Sequence, residues 1–156
     1  MIERFDGKLP CIIVDVDGTV ANNEHRTHML EETPKNWQKF FDASVDDTPI
    51  EPVKFIVNTL FHHSNLPIMI VTARDENHRE LTEDWLEKHG IEYNQYYCRC
   101  ADDRREDYVI KREILEQIRA DGFEPVMAFE DRKQVKRMFE SEGIFVFDVN
   151  QTDHEF

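Results

Sequence analysis

The chain contains 156 residues, of which 33 are acidic and 19 are basic, and its formal net charge at pH 7 is −14. This length predicts one domain that is stable without disulfides, and the three cysteines lack the spacing of a disulfide framework. We expect a cytoplasmic protein, because no signal peptide is recognisable before Lys8 and no apolar run approaches the roughly 20 residues of a membrane-spanning helix. The acidic balance disfavours long nucleic acid as a ligand unless basic residues gather locally, and it disfavours a small phosphorylated molecule less.

Apolar runs alternate with segments of helical periodicity along most of the chain. Residues 1–8 are expected to form an edge extension that leads into the first strand. Strands are then predicted at 11–14, 67–71, 96–100, 125–129 and 144–148, and helices at 35–43, 52–63, 77–88, 108–120 and 133–142. This alternation predicts an α/β fold with three layers, in which helices cover both faces of a Rossmann-like parallel sheet of about five strands.

The region after the first strand is expected to differ from this regular pattern. Residues 21–26 have no periodicity and are predicted to form a loop beside the end of that strand. The segment 22–47 is long enough to form a small helical insertion. We therefore expect a single domain over 1–156, with a small cap or insertion within residues 22–66.

Two carboxylates follow the first strand directly. Asp15 and Asp17 are two residues apart, so they should point to the same side of the extended chain. Like charges at that spacing repel each other unless a cation or a shared proton intervenes. The pattern is typical of a metal-assisted pair of acids, with Gly18 providing a backbone bend, although a solvated acidic turn would have the same residues.

Two further strands end in polar residues. The second predicted strand leads into Thr72 and Arg74, and the fourth leads into Glu130 and Asp131. Because the carboxyl ends of parallel strands meet at one edge of a sheet, these side chains should converge with those of the first strand. Carboxylates from two strands form a hard oxygen site of the kind that suits Mg²⁺.

The expected chemistry at this edge is phosphoryl transfer. Thr72 can donate a hydrogen bond to a phosphoryl group, and Lys111 and Arg74 can offset its charge. Asp15 could then attack phosphorus, while Asp17 gives a proton to the leaving oxygen and later activates water.

The predicted helix at 108–120 begins in a charged region. Asp107 and Lys111 are four residues apart and can meet on one helix face, where an ordinary surface ion pair is the alternative to a functional role. A group of arginines surrounds this helix start and would form either a groove for a phosphate backbone or a solvated surface: Arg99, Arg104, Arg105 and Arg112.

These motifs resemble, in order, the four motifs of the haloacid dehalogenase superfamily of phosphotransferases: Asp15-Val16-Asp17-Gly18-Thr19, then Thr72, then Lys111, then Glu130-Asp131. The resemblance implies that Asp15 is the nucleophile and Asp17 the general acid and base. It also implies that Mg²⁺ is held by Asp15, the backbone carbonyl of Asp17 and Asp131. The superfamily usually has an aspartate where Glu130 stands, so Glu130 either contacts the metal or orients its waters.

The chain resembles more closely the 3′-phosphatase domain of bacteriophage-type polynucleotide kinase/phosphatase. Arg26, Arg74, Asp107 and Lys111 match residues of that domain, as does the stretch from Glu130 to Val135. The likeness implies a substrate with a nucleotide or nucleic-acid 3′-phosphate end, catalytic roles for Thr72, Lys111, Arg26 and Arg74, and substrate contacts from Arg26, Arg74, Asp107, Gly18, Thr19 and Ala73. No phosphate-binding loop of the Gly-x-x-x-x-Gly-Lys-[Ser/Thr] type occurs, so 5′-kinase activity is not expected.

Three functions remain open from the sequence. The first is a Mg²⁺-dependent 3′-phosphatase acting on polynucleotide ends or 3′-nucleotides, in the cytoplasm or in a host cytoplasm if the chain is phage-encoded. The second is a 5′(3′)-deoxyribonucleotidase acting on free mononucleotides, which the acidic surface favours. The third is a silent module used for protein contacts, although no obligate protein partner is evident and a binder would not need the whole set of acidic and basic residues.

Overall fold

The structure is a computed structural model and describes residues 7–150, so the edge extension predicted for residues 1–8 lies mostly outside the described residues. The strands are β1 (Leu9–Val14), β2 (Ala21–Asn22), β3 (Thr48–Pro49), β4 (Ile68–Asp75), β5 (Gln95–Arg99), β6 (Phe123–Glu130) and β7 (Phe145–Asp148). The α-helices are α1 (Trp37–Asp42), α2 (Glu51–His63), α3 (Arg79–Lys88), α4 (Asp107–Ala120) and α5 (Lys133–Ser141). Three 3₁₀ helices cover Glu24–Leu30, Ala43–Asp46 and Glu76–His78.

The central sheet has five parallel strands in the order β5-β4-β1-β6-β7. Alternate residues of β1 enter two separate cores because side chains of a strand point to opposite faces. Ile12 and Val14 pack on one face with Val57 of α2, whereas Cys11 and Ile13 pack on the other with residues of α4 and α5. Helices therefore cover both faces, and the predicted three-layer parallel α/β fold is confirmed.

The region after β1 is more ordered than the sequence suggested. The prediction of a loop over 21–26 was wrong, because β2 pairs antiparallel with β3 and a 3₁₀ helix begins at Glu24. Arg26 within that helix is completely buried. An ion pair rather than an apolar stripe holds this segment, which explains why hydrophobic periodicity did not reveal it.

The short β2–β3 hairpin encloses an insertion between strands of the sheet. Ala21 pairs with Pro49 and Asn22 with Thr48, so the two ends of the segment 23–47 lie next to each other. We call residues 23–47 the insertion; it contains α1. The segment 22–66 predicted as a cap or insertion thus comprises this insertion together with α2, which packs against the sheet.

Strand β4 continues further than predicted. Its pattern of apolar residues ends at Val71, but the strand itself extends to Asp75. Thr72 and Arg74 consequently lie on the strand, and both are buried. This extension carries the two side chains to the edge of the sheet where the first strand ends.

Candidate active site

The carboxyl ends of β1, β4 and β6 lie side by side. Val14 is in register with Ile70 of β4 and with Phe129 of β6. Asp15 follows Val14, and its backbone N–H donates to the carbonyl of Phe129 over 3.1 Å. The parallel sheet therefore brings the polar residues after these three strands to one edge, where ligand sites of open α/β sheets lie.

Asp15 is held by two hydrogen bonds at the centre of this edge. Lys111 Nζ donates to its Oδ1 over 2.8 Å, and the Thr19 hydroxyl donates to its Oδ2 over 2.9 Å. Asp15 is 4% exposed, and both of its partners are buried. Each oxygen thus has a fixed direction, so the carboxylate is pre-oriented before any substrate binds.

Lys111 joins Asp15 to Glu130. Its ammonium group also donates to Glu130 Oε2 over 2.7 Å. Burial alone would lower the pKa of Lys111, but the carboxylates of Asp15 and Glu130 outweigh it and raise that pKa above its usual range. The other oxygen of Glu130 accepts from the backbone N–H groups of Asp131 and Arg132 over 3.2 and 3.1 Å, so both oxygens of Glu130 already accept hydrogen bonds.

Three buried carboxylates gather beside this lysine. Asp15, Glu130 and Asp131 each offer an oxygen, and these oxygens all lie within 4.8 Å of one another. Burial, together with the charges of Asp15 and Glu130, raises the pKa of Asp131 well above its usual range. A cluster of hard oxygen donors that carries excess negative charge fits a divalent cation such as Mg²⁺.

Gly18 allows Asp131 to approach the turn after β1. Gly18 has φ +75°, and a Cβ atom built on it would lie 2.1 Å from Asp131 Oδ2. Any side chain at this position would therefore collide with the carboxylate. Gly18 is required both for its backbone conformation and for the close approach of Asp131.

Asp17 is paired with two buried arginines. Arg74 donates from Nε to Oδ2 over 2.9 Å and from Nη2 to Oδ1 over 2.7 Å, and Arg26 Nη2 also donates to Oδ1. Burial opposes ionisation of Asp17, but the charges of Arg74 and Arg26 outweigh it and hold the pKa of this carboxyl well below its usual range. The two arginines therefore favour the ionised form of Asp17.

Other residues fix the positions of the two arginines. Arg26 donates from Nε and Nη2 to the two oxygens of Asp47 over 2.8 and 2.7 Å, while Nη1 donates to the Phe40 carbonyl. Arg74 Nη1 donates to the hydroxyls of Ser44 and Thr82 over 3.1 and 3.0 Å. Each guanidinium group is thus also held by partners other than Asp17, and Arg26 Nη2 is shared between Asp17 and Asp47.

Asp107 binds different partners from Lys111. Arg99 Nη2 donates to Asp107 Oδ1 over 2.7 Å, and Arg132 Nη1 donates to Oδ2. Lys111, one turn later on α4, points to Asp15 and Glu130 instead. Although the two residues are four apart on α4, they do not pair with each other and join two separate charge networks.

The Thr72 hydroxyl and the Ala73 carbonyl, at the end of β4, also accept hydrogen bonds. The Thr72 hydroxyl accepts from the Arg74 backbone N–H over 3.1 Å. The Ala73 carbonyl accepts from Arg99 Nε over 2.8 Å. Thr72 keeps its hydroxyl proton for a further acceptor, whereas the Ala73 carbonyl ties β4 to β5.

Residues 9–154 match the family described as the polynucleotide kinase PNKP phosphatase domain. The chain belongs to this family. It is accordingly a phosphatase of the haloacid dehalogenase type and a phosphoric monoester hydrolase. The predicted resemblance is confirmed.

Solved structures show the same fold. Chains from the Pnkp1/Rnl/Hen1 complex and from the Pnkp1/Rnl/Hen1 RNA repair complex superpose with TM-scores of 0.79 and 0.77 at 22% identity. The similarity covers 98% of the present chain but only 50% and 46% of those chains, so the chain spans about half of their length. A haloacid dehalogenase-like hydrolase, SP0104 from Streptococcus pneumoniae, has a TM-score of 0.64 at 12% identity and covers 92% of this chain and 85% of its own.

The arginines around the start of α4 in this PNKP-type phosphatase domain mostly have internal partners. Arg99 donates to three backbone carbonyls as well as to Asp107. Arg105 pairs with Asp103 and Glu113, and Arg112 lies 4.0 Å from Glu142. These contacts favour a structural role over the predicted alternative of a groove for a phosphate backbone.

Asp47 was missed by the sequence analysis of this phosphatase domain. No role was predicted for it, yet its side chain is fully buried and carries the bidentate pair with Arg26. A carboxylate of this kind shows no local pattern, because its partner lies 21 residues away.

No helix among residues 7–150 is long and apolar enough to cross a membrane.

Proposed function

We propose that this chain is a Mg²⁺-dependent phosphomonoesterase that removes the 3′-phosphate from polynucleotide ends or 3′-nucleotides through an aspartyl-phosphate intermediate. The observation that carries the proposal is the pair of differently held carboxylates. Asp15 is oriented by Lys111 and Thr19, and Asp17 is bound to two buried arginines. Membership of the PNKP phosphatase family and the likeness to chains of an RNA repair complex support a nucleic-acid 3′ end as the substrate.

The carboxylate cluster would hold the cation. We place Mg²⁺ with Asp15, Asp131 and the backbone carbonyl of Asp17, whereas Glu130 orients Lys111 and adds negative charge to the site. When bound, Mg²⁺ would neutralise charge on the phosphoryl group and on the carboxylates.

In the first step an oxygen of Asp15 attacks phosphorus. The new bond joins phosphorus to Asp15, and the bond from phosphorus to the sugar 3′-oxygen breaks. Lys111 and the Thr72 hydroxyl stabilise the charge on the transferring phosphoryl group. Asp17 donates a proton to the 3′-oxygen, so that the product leaves as a neutral hydroxyl.

In the second step Asp17, now ionised, accepts a proton from water. The resulting hydroxide attacks phosphorus, the bond to Asp15 breaks, and inorganic phosphate leaves. Asp17 regains the proton that it needs for the next cycle, and Asp15 regains its carboxylate.

The two arginines would explain why Asp17 becomes protonated, and so able to act as a general acid, only when substrate is bound. In this structure Arg26 and Arg74 keep the pKa of Asp17 low. A phosphoryl group bound at these guanidiniums would compete for their N–H groups. The pKa of Asp17 would then rise, and the residue could carry the proton that the leaving oxygen requires.

A nucleotidase acting on free mononucleotides is the second candidate. The net charge of −14 and the internal pairing of Arg99 and Arg105 favour a small substrate over a long polyanion. The catalytic steps would be the same, and only the group attached to the phosphate would differ. Chains similar to this one occur in a complex with other proteins, so we also propose that a protein partner is compatible with this fold.

The test is phosphate release from a 3′-phosphorylated oligonucleotide, a 3′-mononucleotide and a 5′-mononucleotide, each assayed with Mg²⁺ and with a chelator. We expect a preference for the 3′ substrates, dependence on Mg²⁺ and loss of turnover in Asp15→Asn. Asp84→Asn makes the same chemical change at an exposed site on α3 and should leave turnover unchanged. Preference for the 5′-mononucleotide would support the second candidate, and turnover retained by Asp15→Asn would exclude covalent catalysis by this residue.

A further inference from the structure

The insertion carries a stacked aromatic pair, an exposed Trp37 and a partly buried Phe41, that the proposed phosphatase chemistry does not use. Trp37 and Phe41 lie one turn apart on α1, with ring centroids 5.9 Å apart and planes inclined by 25°. Trp37 is 44% exposed. The indole packs on Phe40 and Phe41, and the part of it that remains in contact with water is available to a ligand.

This aromatic pair lies next to the arginines of the candidate active site. The Phe41 ring centroid lies 6.0 Å from Cζ of Arg74, and the neighbouring Phe40 ring lies 4.2 Å from Cζ of Arg26. Trp37 stacks on Phe41, so the aromatic contacts continue from Arg74 through Phe41 to Trp37. A continuous aromatic surface thus leads from the guanidiniums that bind Asp17 to an exposed indole.

A positive charge accompanies the exposed ring. Lys35 Nζ lies 5.6 Å from the centroid of the Trp37 ring. An aromatic face with a cation beside it suits a base that is attached to an anionic backbone. The chemistry of this surface therefore fits a nucleotide rather than an apolar protein segment.

We propose that Trp37 and Phe41 form a stacking platform for a nucleobase at the 3′ end of the substrate, whose terminal phosphate lies at Arg26 and Arg74. The inference rests on the proposed function, because that function places a 3′-phosphate at the two arginines. Every base presents a π face, so stacking is tolerant of sequence. The platform thus predicts recognition of a base without a strong preference among the four.

The test compares two oligonucleotides that both end in a 3′-phosphate, one with a normal terminal nucleotide and one with an abasic terminal sugar. Wild-type protein should have a kcat/KM roughly tenfold to a hundredfold higher for the normal end, because stacking of one base is worth about 1–3 kcal/mol. Trp37→Ala should bring the two values close together by raising KM for the normal end only. Trp37→Phe keeps an aromatic face and should retain most of the difference.

Phe55→Ala is the matched control, since Phe55 is a 72% exposed aromatic residue on α2 and should not affect either substrate. Equal melting temperatures of Trp37→Ala and wild type would show that the variant is folded. Equal kcat/KM for the two oligonucleotides in wild type, or equal losses on both in Trp37→Ala, would overturn the platform while leaving the 3′-phosphatase function standing. Absence of activity on both oligonucleotides, with activity on a 5′-mononucleotide, would overturn the proposed function and the platform together.

Discussion

Two buried guanidinium groups, Arg26 and Arg74, are compensated by the two carboxylates of Asp17 and Asp47. Burial of an ion costs several kcal/mol unless its partner and its hydrogen bonds are in place. Asp47 is the partner that does not face the substrate in the proposed mechanism, and Asp17 is the partner that would take part in catalysis. In the proposed mechanism the arginines would therefore keep their positions while the contact to Asp17 changes.

Asp47→Asn tests this division of roles at the residue scale. The change removes the charge that anchors Arg26, so we expect the free energy of unfolding to fall by about 3 kcal/mol. Arg26 would then interact more strongly with Asp17 and hold its proton affinity lower. Calorimetric or denaturant unfolding measures the first effect, and kcat measured well below the melting temperature measures the second.

A purely structural role for Asp47 would leave the dependence on the leaving group unchanged. In the proposed role, Asp47→Asn slows a 3′-nucleotide, which needs a proton on its leaving oxygen, more than p-nitrophenyl phosphate, which does not. Asp46→Asn is the control, because Asp46 is exposed and adjacent, and it should change stability by less than about 0.5 kcal/mol. Equal slowing of both substrates by Asp47→Asn would contradict a positioning role.

At the scale of elements, the turn after β1 fits tightly against the end of β6. The backbone N–H of Gly18 donates to the Ala21 carbonyl over 2.9 Å, and three further N–H groups of the turn donate to the Val16 carbonyl. Thr19 is thereby buried beneath Asp15, and Gly18 faces Asp131. The turn thus positions a ligand of the candidate metal site by leaving space for it.

Gly18→Ala should weaken the activation by Mg²⁺ more than it lowers the stability of the fold. Its Cβ would displace Asp131 Oδ2, so we expect the Mg²⁺ concentration for half-maximal activity to rise by at least about tenfold. Gly122→Ala is the matched control, since Gly122 has φ +96° and no heavy atom lies within 4 Å of its Cβ position. Both changes carry the backbone cost of a positive φ, about 1–2 kcal/mol.

A Mg²⁺ titration of activity for both variants measures the difference. Thermal unfolding of both shows how much of the loss is backbone strain alone. An unchanged Mg²⁺ requirement in Gly18→Ala would mean that Asp131 moves without consequence and would remove it from the proposed metal ligands.

At the scale of the whole molecule, the net charge of −14 opposes the approach of a polyanion. The cations of the candidate site are balanced locally, since Lys111 lies between two carboxylates and each arginine contacts at least one. Attraction of a nucleic acid is therefore a short-range effect of the site, whereas long-range repulsion comes from the whole surface.

The salt dependence of activity should distinguish the long-range repulsion from the short-range attraction. Raising the ionic strength from about 0.01 M to about 0.15 M shortens the Debye length from about 30 Å to about 8 Å and screens the repulsion. We expect kcat/KM for an oligonucleotide of about 20 nucleotides with a 3′-phosphate to rise several-fold relative to that for a 3′-mononucleotide, which controls for contacts within the site. A fall of the ratio with salt would instead reveal a basic track on the surface.

The sequence by itself determined the parallel α/β fold and the position of polar residues at the ends of its strands. Short continuous apolar runs predict buried strands, and the alternation of strands with helices leaves few topologies. Asp15, Thr72 and Glu130 could be placed together because parallel strands share one carboxyl edge. These inferences depend on local pattern and on a general rule of chain connection.

Only the tertiary structure decided which side chains pair with which. The contact of Arg26 with Asp47, the joining of Lys111 to Glu130 and the approach of Asp131 to Gly18 all link residues far apart in sequence. Buried ion pairs have no periodicity, and their partners depend on how the insertion folds back onto the sheet. The same reason explains why residues 21–26 were predicted as a loop, since that segment is ordered by pairing with β3 and by one buried guanidinium rather than by an apolar stripe.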